Sequence, residues 1–240
     1  MKAFSITDIG ERRMVNQDYV FCSDDKVGNL PNLFIVADGM GGHNAGDYAS
    51  RFCVEFFTGR IKESDLSSPV AMIKAAIQET NDILLSKAKE KTELEGMGTT
   101  FVVATIFDSE MYVANIGDSR LYVVGKEMKQ ITEDHSLVEA MVKNGELDRE
   151  EARVHPNKNI ITRALGANST AQPDFFEVNL EEGNIVLMCS DGLTNMLEDD
   201  QIEEIIRNNS DDLEKAAETL VKFANQYGGK DNIAIIIIKV

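Results

Sequence analysis

Cysteine and histidine are scarce in this chain, three of each among 240 residues, and where they stand excludes several chemistries. Cys22, Cys53 and Cys189 sit in apolar contexts without a C-x-x-C spacing, the pattern of reduced thiols in a cytoplasm rather than of a disulfide framework. The loop of a cysteine phosphatase needs an arginine six positions after its cysteine, and those positions hold Gly28, Gly59 and Asn195. Three scattered histidines are too few for a typical zinc site. Basic residues are also outnumbered: 24 Lys and Arg against 41 Asp and Glu leave a net charge of −17. Nucleic acid and anionic membranes need clustered cations, so neither is expected as a partner. No apolar run approaches the roughly 20 residues of a membrane span, and the N-terminus lacks the apolar core of a signal peptide. A cytoplasmic location is expected. No G-x-S-x-G elbow and no Walker lysine occur, and Gly39-Met40-Gly41-Gly42-His43-Asn44 lacks the last glycine of a dinucleotide loop. No low-complexity or Pro/Ser-rich linker divides the chain, so residues 1–240 are expected to form one domain.

What the chain does have is one device repeated. Leu33 to Ala37 is an apolar run of strand length that stops at Asp38-Gly39 and further glycines. Ile185 to Cys189 leads in the same way to Ser190-Asp191-Gly192, and Asp231 opens the apolar run Ile233 to Ile238. Such runs bury as central strands, whereas a carboxylate at a strand tip asks for a cation. Taken singly, each is equally a strand capped by an Asp-Gly turn. If the three tips meet at one edge of a sheet pair, their charges repel unless divalent metal lies between them. The glycines after Asp38 lack the Cβ atoms that would hold a ligand off the backbone. The loop Gly10 to Asp18, between strands at Phe4–Thr7 and Tyr19–Cys22, carries Arg12, Arg13 and Asp18. It suits an anion held beside a cation, and also a plain surface loop with a salt bridge.

Between these strands the apolar spacing predicts helices. Ala49, Phe52, Cys53, Phe56, Phe57 and Ile61 form one amphipathic stripe. Ser68-Pro69 opens a second helix, buried through Met72, Ile73, Ala76, Ile77, Thr80, Ile83 and Leu84. Thr99–Phe107, Met111–Ile116 and Arg120–Val124 read as an antiparallel meander with Asp118 in its second turn, Gly117-Asp118-Ser119. A polar stretch, about Leu137 to Asn159, interrupts the strands with two short helices and is expected to be a surface flap. Two more helices follow, marked by Ile202, Ile205 and Ile206 and then by Leu213 to Ala224, before the last strand. Strand runs alternating with helix pairs favour an α+β layered fold.

Oxygen-only ligands at Asp18, Asp38, Asp191 and Asp231, with a backbone carbonyl near Gly39, select Mg²⁺ or Mn²⁺. Two such ions bridged by one carboxylate can share a water for in-line attack on phosphorus, with Arg13 clamping the phosphoryl oxygens.

Gly10-x-x-Arg13-x-x-Asn16-Gln17-Asp18, Val36-Ala37-Asp38-Gly39-Met40-Gly41-Gly42-His43, Gly98-Thr99-Thr100, Ala114 to Arg120, Ser190-Asp191-Gly192-Leu193 and Asp231-Asn232 occur in this order. Together they resemble the type-2C metal-dependent serine/threonine protein phosphatases, above all the stand-alone bacterial branch, from about Phe4 to the end of the chain. The resemblance implies a four-layer αββα sandwich, two antiparallel sheets flanked by helix pairs, with two core Mn²⁺ or Mg²⁺ ions. It makes Asp38 the bridging ligand, joined by the Gly39 carbonyl, Asp18, Asp191 and Asp231. Arg13 rather than Arg12 matches the phosphate-binding arginine, Asp118 pairs with Asp191 on a weaker third ion, and 137–159 matches the variable flap. Where eukaryotic members carry a histidine proposed as general acid, this chain has Met40; His43, three residues on, and a metal-bound water are both candidates for the proton donor. The activity implied is hydrolysis of phosphoserine and phosphothreonine in proteins by a monomer that opposes a bacterial-type Ser/Thr kinase acting on the same substrates. Two other readings remain: a non-catalytic phosphoprotein-binding module, against which the intact acids and Arg13 argue, and a hydrolase of small phosphate metabolites.

Overall fold

The computed structural model describes residues 1–41 and 45–240. In chain order the elements are β1 (Lys2–Asp8), β2 (Asp18–Ser23), β3 (Leu33–Met40), α1 (Ala45–Glu63), α2 (Pro69–Glu90), β4 (Gly98–Thr99), β5 (Phe101–Phe107), β6 (Glu110–Ile116), β7 (Arg120–Val124), β8 (Met128–Gln130), α3 (Leu137–Lys143), α4 (Arg149–Val154), β9 (Asp174–Asn179), β10 (Ile185–Cys189), α5 (Asp191–Thr194), α6 (Asp199–Asn208), α7 (Leu213–Gln226) and β11 (Ile233–Lys239). One sheet has the order β1-β11-β10-β7-β8 and the other β2-β3-β5-β6-β9, with β4 paired to β3. Every pairing is antiparallel.

The layers follow from the period-2 alternation of strands that are apolar on both faces. In β3, Phe34 and Val36 point into a core shared with Val186, Met188, Ile236 and Ile238 of the other sheet. Leu33, Ile35 and Ala37 point outward, against Cys53 and Phe57 of α1 and Ile73 and Ile77 of α2. The other sheet does the same: Leu187, Ile235 and Ile237 cover Ile202 and Ile206 of α6 and Leu220 of α7. Three cores therefore separate four layers, as expected. Each fully buried side chain of this size contributes about 1.5–3 kcal/mol. The Ser68 hydroxyl accepts from Ala71 N–H, so α2 starts where the Ser-Pro pair places it. Among the described residues no helix is long and apolar enough to cross a membrane.

Four expectations need correction. β6 and β7 are not neighbours: β7 pairs with β10 and β8, so Gly117-Asp118-Ser119 crosses from one sheet to the other instead of closing a hairpin. β3 does not stop at Asp38 but continues through Gly39 and Met40, which pair with Thr99 and Gly98. Helix α1 begins at Ala45, four residues before the apolar stripe becomes visible. Ile83 is 39% exposed, while Asn81 is fully buried, because its amide serves the loop beside α2, donating to Asn168 O and accepting from Gly166 N–H.

Candidate active site

The register of β2 against β3 sets Asp18 directly opposite Asp38. Like charges in this relation destabilise a sheet. The other sheet brings Asp191 and Asp231 to the same end: Asp191 opens α5 immediately beyond β10, and Asp231 immediately precedes β11. Their approach depends on Gly192, where a Cβ would lie 1.9 Å from the Asn232 carbonyl oxygen. Asp118 enters from the link between the sheets. Arg13, Asp38, Gly39, Asp118, Asp191 and Asp231 line one cleft of about 270 Å³, to which Met40 also contributes. Asp18 lies buried beside it.

The electrostatics of this cleft are those of acids short of a counter-charge. Burial, against a bond from the Ser190 hydroxyl and with help from Asp191 and Asp231, pushes the Asp18 carboxyl up to about 7. Burial and then Asp231 raise Asp191 to about 6. Asp38 is held well above the usual carboxylate range by burial and then Asp18, and Asp118 by burial and then Asp191. One oxygen of Asp18 and one of Asp191 have a protein donor, Ser190 Oγ to Asp18 Oδ2 at 2.6 Å and Asn195 Nδ2 to Asp191 Oδ2 at 2.8 Å, whereas both oxygens of Asp231 are met, Oδ2 by Arg13 Nη2 at 2.6 Å and Oδ1 by Asn232 N–H at 2.9 Å. Asp18 Oδ1 and Asp191 Oδ1 are buried with no hydrogen-bond partner among the described residues. Leaving such an acceptor unsatisfied costs about 1–3 kcal/mol or more. A hard divalent cation answers both the missing charge and the orphaned oxygens, and all-oxygen donors fit Mg²⁺ or Mn²⁺. Among the described residues no three His, Cys, Asp or Glu side chains stand close enough together, as the side chains lie in this structure, to hold a metal ion.

Polar residues without a role in the sequence reading hold the acids in place. Thr100 Oγ1 accepts from Asp38 N–H at 2.9 Å and lies 2.8 Å from Ser119 Oγ, so one hydroxyl ties the Asp38 strand to the Asp118 link. Ser190 Oγ also accepts from Ala234 N–H. Asn232 accepts from Gln17 N–H and donates to Ile9 O and Val15 O, fastening the Arg13 loop to the strand that begins after Asp231. Their signal in the sequence was a polar residue flanking a motif acid or glycine, where burial demands a partner. Arg12, by contrast, gives Gly229 O its backbone N–H. Gly39 has a different cause from the one expected: its Cβ would lie 2.0 Å from the Gly46 carbonyl oxygen, so it makes room for α1 rather than for a ligand. His43 lies outside the described residues.

A groove of about 580 Å³ adjoins the cleft, sharing Asp118 and Asp191 with it and bounded by α4 and the α5–α6 connection. Two cations fasten the 137–159 segment across it: Arg153 donates to Thr194 O and Leu197 O, and Lys158 Nζ donates to Asn195 Oδ1 at 2.8 Å.

Residues 4–233 match the family described as Protein phosphatase 2C. The serine/threonine phosphatase stp of Listeria innocua serovar 6a is 41% identical over 240 residues, covering 97% of this chain and 93% of its own. The solved structure of the S. agalactiae serine/threonine phosphatase superposes with a TM-score of 0.92 at 37% identity, over 100% of this chain and 99% of that one. The catalytic domain of the serine threonine protein phosphatase PstP, solved in complex with two manganese ions, superposes with a TM-score of 0.86 at 28% identity, over 98% and 96% of the two chains.

Proposed function

The chain belongs to the protein phosphatase 2C family and is a protein serine/threonine phosphatase, and from that premise we propose that it hydrolyses phosphoserine and phosphothreonine with two core Mn²⁺ or Mg²⁺ ions held in the cleft. The observation that carries this reading is the pair of buried, partnerless oxygens on Asp18 and Asp191 within a cluster of acids raised by burial and mutual repulsion. Asp18, Asp38, Asp191, Asp231 and the Gly39 carbonyl would be the protein groups that hold the ions. When bound, the ions supply Lewis acidity and lower the pKa of water towards neutrality.

The chain's own part is positioning. Arg13 moves from Asp231 to the phosphoryl oxygens, where a guanidinium binds bidentately and fixes the group for in-line attack. Asp118, with Asp191, would hold a weaker third ion. The leaving oxygen takes its proton from cleft water or from His43. Residues 1–240 act as one domain, with 137–159 as a flap that frames the groove beside the cleft. The partners are phosphorylated proteins and the Ser/Thr kinase that modifies them, and the enzyme works as a cytoplasmic monomer.

The test sets a phosphothreonine peptide beside free phosphorylated metabolites, with Mn²⁺ and after exhaustive chelation. Peptide turnover that vanishes with chelator and returns with Mn²⁺ is expected. Turnover that survives chelation would overturn the metal reading, and faster hydrolysis of the metabolites would overturn the protein substrate.

A further inference from the structure

Asp118 follows a glycine that one residue grips on both polar atoms. Gly117 N–H donates to His135 Nδ1 at 3.1 Å, and Gly117 O accepts from His135 N–H at 3.0 Å and from Asn115 Nδ2 at 3.2 Å. The grip has something to hold: Gly117 sits at φ +111°, and its close fit against Thr100, 2.6 Å from where a Cβ would stand, leaves the link no slack. Because Nδ1 accepts from a backbone N–H, the imidazole proton belongs on Nε2. There it donates to Asp174 Oδ2 at 2.9 Å, while Arg163 Nη1, 3.2 Å from the same nitrogen, bonds Asp174 Oδ1 at 2.9 Å. Burial keeps the ring below its ordinary pKa against the pull of Asp174, as a neutral tautomer requires. His135 also stands at the stem of the 137–159 segment: its carbonyl accepts from Thr162 N–H at 2.7 Å, and the next residue, Ser136, caps α3.

We propose that His135 is a positioning residue which, through Gly117, fixes the Asp118 carboxylate for its cation. His135 lines neither the cleft nor the groove, so it acts only through that backbone. The inference rests on the reading of Asp118 as a ligand of the weaker third ion. Partners of this kind around a metal site are typically worth 10–100-fold in affinity.

The experiment titrates Mn²⁺ calorimetrically into the full chain and its His135→Asn, His135→Gln and Asp118→Asn variants. Asparagine can keep an acceptor near the Nδ1 position; glutamine reaches the Nε2 position and leaves Gly117 N–H without one. His135→Gln should weaken the loosest Mn²⁺ site by about tenfold, keep the tight pair, and lower kcat on a phosphothreonine peptide with KM unchanged. His135→Asn should restore both. Unaltered Mn²⁺ binding in His135→Gln, or equal losses in the two His135 variants, would overturn the inference. Asp118→Asn losing the loose site while His135→Gln keeps it overturns this inference alone; Asp118→Asn keeping it overturns the third-ion reading instead. Should His135→Gln fail to fold, nitrogen NMR of the unaltered protein decides: an unprotonated Nδ1 is expected, and a protonated Nδ1 overturns the proposal.

Discussion

Arg13 Nη2 donates to Asp231 Oδ2 at 2.6 Å, so the side chain proposed to hold phosphate rests on a carboxylate proposed to hold metal. Asp231 Oδ1 meanwhile accepts from Asn232 N–H. A cation at Asp231 and a phosphoryl group at Arg13 would give each partner a stronger one. The ion pair is 46% and 31% exposed, and such pairs contribute little stability.

Arg13→Ala should therefore leave the thermal midpoint near that of the unaltered protein and lower kcat/KM on a phosphothreonine peptide by at least about 10–100-fold, the worth of one of the two charged bonds it would lose. Arg12→Ala should be mild, because the bond Arg12 makes to Gly229 comes from its backbone. Steady-state kinetics on both variants check this, and the reverse ranking would place the phosphate one residue away.

The facing pair Asp18 and Asp38 makes a prediction of opposite sign for activity and stability. With metal chelated, above neutral pH, their repulsion is unrelieved, so Asp38→Asn should stabilise the fold by about 1 kcal/mol, or about 2–4 °C in a chain of this size. In Mn²⁺ the same variant should lose nearly all turnover, since an amide coordinates hard cations weakly. Thermal unfolding with chelator and assay with Mn²⁺ test the two halves separately. A lower midpoint in the chelated variant would mean that the pair stores no repulsion.

These relationships show which parts of the molecule could be read from the sequence. Leu33–Ala37 announced a strand buried on both faces, and Ser68-Pro69 announced a helix start, because those signals are local. The acids drew attention for the same reason: a carboxylate at either end of an apolar run, as at Asp38, Asp191 and Asp231, is conspicuous within a few residues. The crossing at Asp118 was missed because a three-residue link between strands reads as a hairpin, and which sheet the next strand joins depends on β10, more than 60 residues on. Asn232 bonds Gln17 across 215 residues, and His135 acts on a glycine 18 residues before it. In neither case does a single chain betray the partner. Nor did the sequence reveal that Gly39 serves α1, since a glycine required by a helix and one required by a ligand look alike.

His135 supplies the pH prediction. Burial places its folded pKa below that of the unfolded chain, about 6.5. Between those values the unfolded state binds more protons, so stability rises with pH and is lost as pH falls through that window. Asp174 adds a second loss at lower pH: burial alone would raise it, but the bonds from His135 and Arg163 outweigh burial and hold it below its ordinary value. Its contribution is present above the unfolded pKa, about 3.9, and disappears as pH falls through the folded one. Thermal midpoints measured from neutral to mildly acid pH should decline less steeply in His135→Asn, which cannot titrate. Parallel curves for the two proteins would show that the imidazole is not the group responsible.

Asn232 is the last test, because a structural side chain should there control substrate binding. It is 3% exposed and saturates three backbone groups of the Arg13 loop: Gln17 N–H at 2.8 Å, Ile9 O at 2.9 Å and Val15 O at 3.1 Å. Asn232→Ala removes these bonds without removing any group that touches phosphate. Each backbone group left unpaired costs about 1–3 kcal/mol, so the midpoint should fall by several degrees, at about 2–4 °C per kcal/mol. The freed loop should raise KM more than it lowers kcat, because Arg13 keeps its chemistry and loses its fixed place. Asn232→Asp discriminates further. It retains an acceptor for Gln17 N–H but loses both donated bonds and sets a second carboxylate beside Asp231, so in chelator it should be the less stable variant. Mn²⁺ should recover more of its midpoint than that of Asn232→Ala, since a cation at Asp231 screens the added charge. Unfolding curves with and without Mn²⁺, read beside KM, decide the matter; a change confined to kcat would mean that Asn232 acts on the acids rather than on the loop.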